Sequence, residues 1–278
     1  MHEVGYHLPH SAVGIGASAG GLEALIELLG ALPTTGMAFI VVQHLDPTHE
    51  SLLSEILARK SALPVTLAIG GEALHADHVY VIPADAILTV RDGRIQLKRR
   101  TETAERPLAV DALFSSLAVA YTERAIGVVL SGGDSDGSFG ICEIKRAGGV
   151  TFAQRPESAR FPNMPSNAIE TGCVDQVLGP RQIAGEIAAL GTRFRMADAK
   201  PGFEARDKQD VGSEDESARL TPVFQRLRSA HGVDFTHYKR TTIKRRIKRR
   251  MILRRIESLE EYTALLDRDA APPRIWRT

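Results

Sequence analysis

Short apolar runs alternate with helical patterns over most of residues 11–191, and no other feature constrains the fold as much. Several runs are continuous stretches of Val, Ile and Ala, which is typical of strands buried on both faces of a parallel sheet. The strand candidates are residues 11–16, 37–44, 64–68, 78–83, 125–131, 149–154 and 173–178. Helical patterns between them predict a three-layer α/β fold, a doubly wound and mostly parallel sheet with helices on both sides.

A β-hairpin is predicted where the pattern changes from continuous to alternating. Residues 87–98 read ILTVRDGRIQLK, which is two alternating runs around Asp92 and Gly93. Asp-Gly is a preferred pair for a two-residue hairpin turn, because both central positions of that turn need a positive φ. We therefore expect this segment to be antiparallel, unlike the strands around it.

Composition divides the chain into four parts. After residue 191 the sequence becomes polar, charged and poor in aliphatic residues, as flexible linkers are. Three helical patterns follow, and the last begins with Ser258 and Glu261 at the spacing of a capping box. The predicted parts are an α/β domain (11–191), a flexible linker (192–217), a small all-α segment (218–270) and an irregular tail (271–278).

The sequence predicts a cytoplasmic protein. No apolar run reaches the roughly 18 residues of a membrane span, and the N-terminal residues do not have the pattern of a signal peptide. Cys142 and Cys173 are the only cysteines, and they form no C-x-x-C motif. We expect both to be free thiols that serve as buried apolar residues in a reducing compartment.

The first strand leads into a glycine-rich turn that has two incompatible interpretations. Residues 16–20 read G-x-S-x-G, the pattern that exposes a serine nucleophile, here Ser18, on a tight strand-to-helix turn. Gly14, Gly16 and Gly20 also approximate the glycine-rich loop that holds the pyrophosphate of a dinucleotide. Both interpretations require a strand before the turn and a helix after it, and the sequence supplies both.

Residues at the ends of later strands favour the hydrolase. A dinucleotide-binding domain places an acid at the end of its second strand, where this chain has Gln43 and His44. Ser18, His44 and the pair Asp134 and Asp136 all follow strand candidates, so we expect them at one edge of a parallel sheet. A serine hydrolase needs these three residue types together. Their order, Ser-His-Asp, differs from the Ser-Asp-His order of the α/β-hydrolases.

Five separated motifs resemble the CheB-type chemotaxis receptor methylesterases. They are VGIGASAGGLEAL, AFIVVQHLDPTHESLLSEIL, HVYVIP, AIGVVLSGGDSDGSFGICEIKRAGG and NMPSNAIETG, in register from residue 11 to about 190. The resemblance is greatest to the methylesterase part of fused methylesterase–methyltransferase proteins. The later segment VDFTHYKRTTIKRRIKRRMILRRIESLEEYTALL resembles the small helical N-terminal domain of CheR-type receptor methyltransferases.

This resemblance implies a protein-glutamate methylesterase domain over residues 11–191. Such an enzyme hydrolyses glutamyl methyl esters on methyl-accepting chemotaxis-type receptors and releases methanol, and some members also deamidate receptor glutamines. The implied nucleophile is Ser18, the implied base is His44, and Asp136 is the acid that orients the base. The implied chemistry uses no cofactor, and we expect no metal site.

Four further residues complete the expected site. Backbone N–H groups near Ala19 and Gly133 are our candidates for the oxyanion hole. The segment FPNMPSNAIETG is either an ordinary helix entry or a substrate-facing loop, and by resemblance we expect a loop that presents Met164 and Asn167. Asp134 departs from the family, because related fused proteins read Thr-Gly-Ser-Asp-Gly where this chain reads Gly-Asp-Ser-Asp-Gly. We expect this extra carboxylate to compete with Asp136 or to oppose its charge.

A basic segment lies within the predicted all-α part. Residues 239–255 hold ten of the 35 Lys and Arg residues and none of the 34 acids. A solvated helix face is one interpretation, and binding to nucleic acid or an anionic membrane is a second. No interleaved aromatics or groove-reading motif supports nucleic acid, so we expect none. By resemblance, this helix docks on acidic receptor helices through Lys244, Arg245, Arg246, Lys248, Arg249 and Arg250, recruiting the protein to receptors in the membrane.

Three functional hypotheses remain at this point. The first is a receptor methylesterase with a helical docking segment. The second is a catalytically impaired binding module of a chemosensory system, in which Asp134 has silenced the site. The third is a nucleotide-binding oxidoreductase, which Gln43 and His44 disfavour. Because only about ten residues precede the first strand, we expect no receiver domain, and because no S-adenosylmethionine site follows the helical segment, we expect no methyltransferase activity.

Overall fold

The computed structural model describes residues 9–43, 52–99, 108–199, 247, 251, 256 and 258–268. The chain divides into two compact units, residues 1–196 and 197–278. The described strands are β1 (Ala12–Ala17), β2 (Ala38–Gln43), β3 (Val65–Leu67), β4 (His78–Val81), β5 (Ala86–Arg91), β6 (Arg94–Arg99), β7 (Ala125–Val129), β8 (Val150–Gln154) and β9 (Gln176–Leu178). The described α-helices are α1 (Gly21–Gly30), α2 (Leu53–Ala58), α3 (Ala109–Tyr121), α4 (Ser138–Arg146), α5 (Asn163–Glu170), α6 (Pro180–Ala199) and α7 (Leu259–Arg268).

A seven-stranded parallel sheet forms the centre of the first unit. Its strand order is β3-β4-β2-β1-β7-β8-β9, and every neighbouring pair is parallel. The chain moves from β1 outward to one side through β2 and returns to the other side of β1 with β7. This order confirms the predicted doubly wound α/β fold, and it places β1 where the direction of winding changes.

The two faces of β1 pack against different helices. Gly14 and Gly16 face α3 so closely that a Cβ atom would lie 2.7 Å from Leu117 Cδ1 at Gly14 and 2.3 Å from Val110 Cγ1 at Gly16. Side chains alternate along a strand, so Ile15 points to the opposite face, where it is fully buried. Helix α1 follows β1 directly and buries the side chains of Leu25, Leu28 and Leu29 completely. Each buried leucine contributes about 1.5–3 kcal/mol to folding.

The predicted hairpin is confirmed. Strands β5 and β6 pair antiparallel, and Arg91 opposite Arg94 leaves a two-residue turn. Both turn residues have positive φ, 51° at Asp92 and 70° at Gly93. Leu88, Val90 and Ile95 of the hairpin are buried and pack in the same core cluster as the apolar side of α3.

Two expected irregular segments are helical instead. In the FPNMPSNAIETG segment the alternative of a helix entry is the one observed, since residues 163–170 form α5, with Met164 and Ala168 one turn apart and both fully buried. The linker expected from residue 192 also begins too early, since α6 continues to Ala199. Burial of Phe194 stabilises this extension of α6, because Phe194 is 5% exposed and the centre of its ring lies 5.0 Å from the guanidinium carbon of Arg124. Residues 200–217 lie outside the described residues.

The two cysteines are joined, so the expectation of two free thiols was wrong. Cys142 of α4 and Cys173, which follows α5, form a disulfide with their Cα atoms 5.1 Å apart. They are 31 residues apart in sequence, and the sequence therefore carries no local sign of the pairing. The packing of α4 beside α5 is what brings them together.

The described part of the second unit is small. Ile247 and Tyr262 are buried, 1% and 0% exposed. The Ser258 hydroxyl accepts a hydrogen bond from the Glu261 amide at 3.1 Å, at the start of α7. The predicted N-terminal cap of this helix is therefore confirmed. The six proposed docking residues, Lys244, Arg245, Arg246, Lys248, Arg249 and Arg250, lie outside the described residues.

Candidate active site

The turns that follow β1 and β7 lie side by side at the carboxyl edge of the sheet. Gly16 of β1 is opposite Val129 of β7, and the Leu130 amide donates to the Gly16 carbonyl at 2.9 Å. Just beyond this bond, the Ser18 amide donates to the Ser131 carbonyl at 2.9 Å. In open α/β sheets, crevices that bind ligands form at this kind of reversal in strand order.

Ser18 lies on a tight turn between β1 and α1. The Gly21 amide donates to the Ser18 carbonyl at 3.0 Å, which closes the turn. Gly20 has a φ of +66°, and a Cβ atom there would lie 2.8 Å from Arg160 Cβ and 2.9 Å from the Phe161 ring. Only glycine fits both the backbone conformation and the space. The turn therefore has the strand-serine-helix geometry that the G-x-S-x-G pattern predicts.

Ser131 connects three segments beneath the site. It is fully buried, and its hydroxyl donates to the Ala19 carbonyl at 2.9 Å and accepts from the Phe161 amide at 3.0 Å. Its own amide donates to the side chain of Gln154, at the end of β8, at 2.9 Å. A buried and fully bonded hydroxyl of this kind holds the turn after β1, the loop after β7 and the segment before α5 in fixed relative positions.

Gly132 separates Ser18 from Met164. A Cβ atom at Gly132 would lie 3.0 Å from Ser18 Cβ and 2.3 Å from Met164 Sδ. The backbone of Gly132 is also tied down, because its amide donates to Phe161 and its carbonyl accepts from Met164, both at 3.0 Å. Met164 is fully buried. The structure therefore brings the expected residue Met164 close to Ser18, as packing under the loop.

Asp136 lies near the end of the same loop, two residues before α4, and is 1% exposed. Its Oδ2 accepts from the Val110 amide and its Oδ1 from the Asp111 amide, both at 2.9 Å. These amides belong to the first turn of α3, where backbone N–H groups have no partner within the helix. The carboxylate is thus fixed by charge-assisted hydrogen bonds at the positive end of a helix.

Asp134 helps to shape the loop instead of occupying the place of Asp136. Its Oδ1 accepts from the backbone amide of Asp136 at 3.1 Å. Asn167 of α5 donates to the Asp134 carbonyl at 3.0 Å, and Asn163 donates to the Gly133 carbonyl at 3.4 Å. The expected residue Asn167 therefore contacts the loop backbone and anchors it to α5.

The two candidate oxyanion donors lie on the open side of this arrangement. Ala19 and Gly133 are exposed, and neither amide donates a hydrogen bond to any other described residue. A Cβ atom built at Gly133 would meet nothing within 4 Å. Ala19 precedes the N-terminus of α1, where the helix dipole favours negative charge. Both amides are thus available to bind a negatively charged oxygen.

The candidate base lies outside the described residues. His44 follows Gln43, the last residue of β2, and Gln43 is opposite Ala17 in the sheet. Strand β2 therefore ends beside the residue that precedes Ser18.

A second buried carboxylate, Asp111, was not identified from the sequence. It lies in the first turn of α3, is 7% exposed, and accepts from the Gly140 amide at 2.6 Å. Burial raises the pKa of Asp111, the Gly140 hydrogen bond lowers it, and the nearby charge of Asp136 raises it. An acid in the first turn of a helix is common as a dipole partner, so the sequence alone did not single it out.

The described residues hold no group of three or more His, Cys, Asp or Glu side chains placed to bind a metal ion. No helix in the described part of the chain is both long enough and apolar enough to cross a membrane.

Residues 13–187 match the family model described as CheB methylesterase. The chain therefore belongs to the CheB methylesterase family. Residues 220–277 match a second model, the all-alpha domain of CheR methyltransferase. The crystal structure of the Thermotoga maritima CheB methylesterase catalytic domain is similar to this chain, with a TM-score of 0.59 and 30% identity. That match covers 65% of this chain and 98% of the other.

Two similar proteins are matched over only part of their own length. A 104.1 kDa protein of Rhodobacter capsulatus is 34% identical over 230 residues, covering 78% of this chain and 24% of its own length. A protein-glutamate methylesterase/protein-glutamine glutaminase of Photorhabdus laumondii is 35% identical over 170 residues, covering 60% of this chain and 49% of its own. The chain therefore spans between about a quarter and a half of the length of these relatives.

Proposed function

We propose that this chain hydrolyses the methyl esters of glutamate side chains on methyl-accepting chemotaxis-type receptors and releases methanol. Ser18 is the nucleophile, His44 the general base, and Asp136 the acid that orients His44. One observation carries the proposal. The Ser18 turn and the loop of Asp136 are held together at the switch point of the sheet by the Ser18–Ser131 hydrogen bond, in a chain of the CheB methylesterase family.

The reaction proceeds in two stages. His44 removes the Ser18 proton as Oγ attacks the ester carbonyl, and the imidazolium then gives that proton to the departing methoxy group. Methanol leaves, and the glutamyl side chain remains bonded to Ser18 as an acyl-enzyme. A water molecule deprotonated by His44 attacks the acyl carbon, and that proton passes to Ser18 Oγ as the acyl bond breaks. The glutamic acid side chain that is released then loses its remaining proton to solvent and leaves as a carboxylate. With a glutamine substrate the same steps release ammonia, which matches the second name of the Photorhabdus relative.

Asp136 can serve this mechanism without giving up its structural bonds. An ionised carboxylate has about four acceptor positions, two on each oxygen. The Val110 and Asp111 amides occupy one position on each oxygen, and a carboxylate of this kind can accept an imidazole N–H in addition to such amides. Fixing the carboxylate first means that it does not have to reorganise when His44 becomes charged.

The oxyanion of both tetrahedral intermediates binds the exposed amides of Ala19 and Gly133. Ala19 directly follows Ser18, and Gly133 lies two residues after Ser131, the residue whose carbonyl accepts from the Ser18 amide. Removing one donor of an oxyanion hole lowers kcat by about 10²–10³-fold in other serine hydrolases. Gly133 has no side chain to block the approach of a helical substrate.

Receptors are the proposed partners, and the basic segment 239–255 is the proposed docking element. Its ten cationic side chains complement acidic receptor helices, and its attraction would weaken with added salt. The proposed location is the cytoplasm, with recruitment to receptors in the membrane.

Methanol release from methylated receptor membranes tests the activity. The wild-type chain should release methanol, Ser18→Ala should release none, and Ser135→Ala, which removes an exposed serine of the neighbouring loop, should behave like wild type. A fluorophosphonate probe should label wild type and Ser135→Ala but not Ser18→Ala. Asp134→Gly separates an active methylesterase from a catalytically impaired binding module. Methanol release that appears only in this variant means that Asp134 has silenced the site and that the wild-type chain acts as the binding module. A folded wild type that neither releases methanol nor reacts with the probe contradicts the proposed esterase.

A further inference from the structure

Asp111 caps the N-terminus of α4 from the neighbouring helix. Its Oδ1 accepts from the Gly140 amide at 2.6 Å. The backbone amides of Gly137 and Phe139 also lower the pKa of Asp111, so its carboxylate lies near the amides at the start of α4. The four first amides of a helix need such partners, and a negative charge there is favoured by the helix dipole.

Asp136 makes the reciprocal contact. It lies two residues before α4, and its carboxylate accepts from the Val110 and Asp111 amides in the first turn of α3. Helix α4 therefore begins against an acid of α3, and α3 begins against an acid of the loop that leads into α4. The two carboxylates form one unit, because moving either helix start breaks hydrogen bonds at both.

Glycines allow this unit to be compact. A Cβ atom at Gly137, which has a φ of +92°, would lie 2.9 Å from Val110 Cγ1. At Gly140 a Cβ atom would lie 2.6 Å from Phe114 Cβ and 2.9 Å from the Asp111 carbonyl oxygen. The starts of α3 and α4 thus approach each other closely, and the Asp111–Gly140 bond belongs to the same contact as the two bonds that hold Asp136.

The unit also holds two acids close together. Burial is the main cause that raises the pKa of Asp111, and the charge of Asp136 adds to it. Strands β1, β2 and β7, which pack against α3, carry no charged residues. The other elements packed against α3 carry the charged residues Arg91, Glu123, Arg124, Glu143, Lys145 and Arg146.

We propose that Asp111 is a positioning residue of the esterase site. Its hydrogen bond to α4 helps to hold the Asp136 carboxylate in place. Its charge already acts on Asp136, and in the proposed mechanism, where Asp136 pairs with His44, it adds to the negative charge that favours the imidazolium. This inference rests on the proposed function, since it assigns Asp136 and His44 their catalytic roles. Asp111 itself touches neither substrate nor the reacting atoms.

Two variants separate its charge from its geometry. Asp111→Asn keeps an acceptor for Gly140 but removes the charge, so the His44 imidazolium becomes less stable and the pKa of His44 falls. The acid limb of the kcat/KM profile should then move about 0.5–1 pH unit lower. Asp111→Glu keeps the charge but displaces the carboxylate, so kcat should fall about tenfold or more while the acid limb stays in place.

The experiment measures the rate of Ser18 labelling by a fluorophosphonate and methanol release from pH 5 to 9, using the full chain. Asp77→Asn is the matched control, because Asp77 also accepts two backbone amides, those of Thr35 and Gly36. It should keep the wild-type profile. Circular dichroism checks folding, and Asp111→Ser replaces Asp111→Asn if the latter does not fold.

The inference holds if removing the charge moves the acid limb and the Asp77 control does not. It is overturned if the neutral Asp111 variant keeps the wild-type midpoint, whatever its rate, because loss of structure alone lowers activity without moving the profile. It is also overturned if Asp111→Glu retains full kcat. A wild-type chain that is inactive in both assays contradicts the proposed function instead, so the two failures are distinguishable.

Discussion

Replacing Asp136 by asparagine tests the proposed acid with almost no change in shape. Each oxygen of Asp136 accepts one amide of α3, from Val110 and from Asp111, both at 2.9 Å, and the side chain is 1% exposed. Asparagine has a single oxygen. Whichever way its amide group is turned, its NH₂ faces one of the two α3 amides, and that buried donor loses its acceptor.

The cost follows from these contacts. A buried donor left without a partner costs about 1–3 kcal/mol, and the surviving bond loses its charge assistance, so the loss is about 2–4 kcal/mol. Relief of the repulsion with Asp111 offsets part of this loss. We therefore expect the free energy of unfolding to fall by about 2 kcal/mol. Activity should fall much further, by about 10⁴-fold, because an amide holds the wrong tautomer of the base.

Urea unfolding and fluorophosphonate labelling measure the two effects on the same samples. Asp134→Asn is the control, since Asp134 is half-buried and its hydrogen bond to the Asp136 amide needs only one oxygen. It should unfold within about 0.5–1 kcal/mol of wild type and keep its reactivity. An Asp136→Asn protein that matches wild type in stability, or that labels within tenfold of its rate, would refute the reasoning.

Three further outcomes follow from the described contacts. Gly132→Ala should cost about 1–3 kcal/mol in urea unfolding and slow Ser18 labelling, because its Cβ would lie 2.3 Å from Met164 Sδ, whereas Gly133→Ala should unfold like wild type. Gly93→Ala should lower stability by about 1–2 kcal/mol without changing activity, because φ is +70° in the hairpin turn, and an unchanged melting temperature would contradict this. Burial raises the folded-state pKa of Asp111 above 3.8, so the unfolded chain releases this proton first as the pH rises. Wild type should therefore lose stability relative to Asp111→Asn from about pH 4 towards neutrality, and a difference that stays constant over this range would exclude the shift.

Sequence patterns predicted the framework of the site because that framework depends on periodicity and turn chemistry. The continuous apolar runs correspond to β1, β2 and β7, and a strand-to-helix turn needs glycine at Gly20, where φ is +66°. The hairpin was predictable for the same reason, since Asp and Gly favour the positive φ that Asp92 and Gly93 adopt in the turn. These preferences depend on neighbouring residues in the sequence and not on contacts with distant segments.

Features that depend on packing between distant segments were not predictable in the same way. The helix at Met164 and the extension of α6 to Ala199 depend on burial against other elements. The disulfide between Cys142 and Cys173 depends on α4 lying beside α5. Asp111 gains its importance only because α4 starts against it, and no pattern along α3 records that contact.

The central position of β1 also orders the folding of this domain in time. Its β2 partner is 26 residues away, from Ala12 to Ala38, whereas its β7 partner is 113 residues away, from Ala12 to Ala125. Closing the longer loop costs about 1 kcal/mol more chain entropy, which favours pairing of β1 with β2 first. The Ser18 amide has no Ser131 carbonyl to meet until β7 docks. Reactivity of Ser18 is therefore expected to appear late in refolding, after most helical signal has returned.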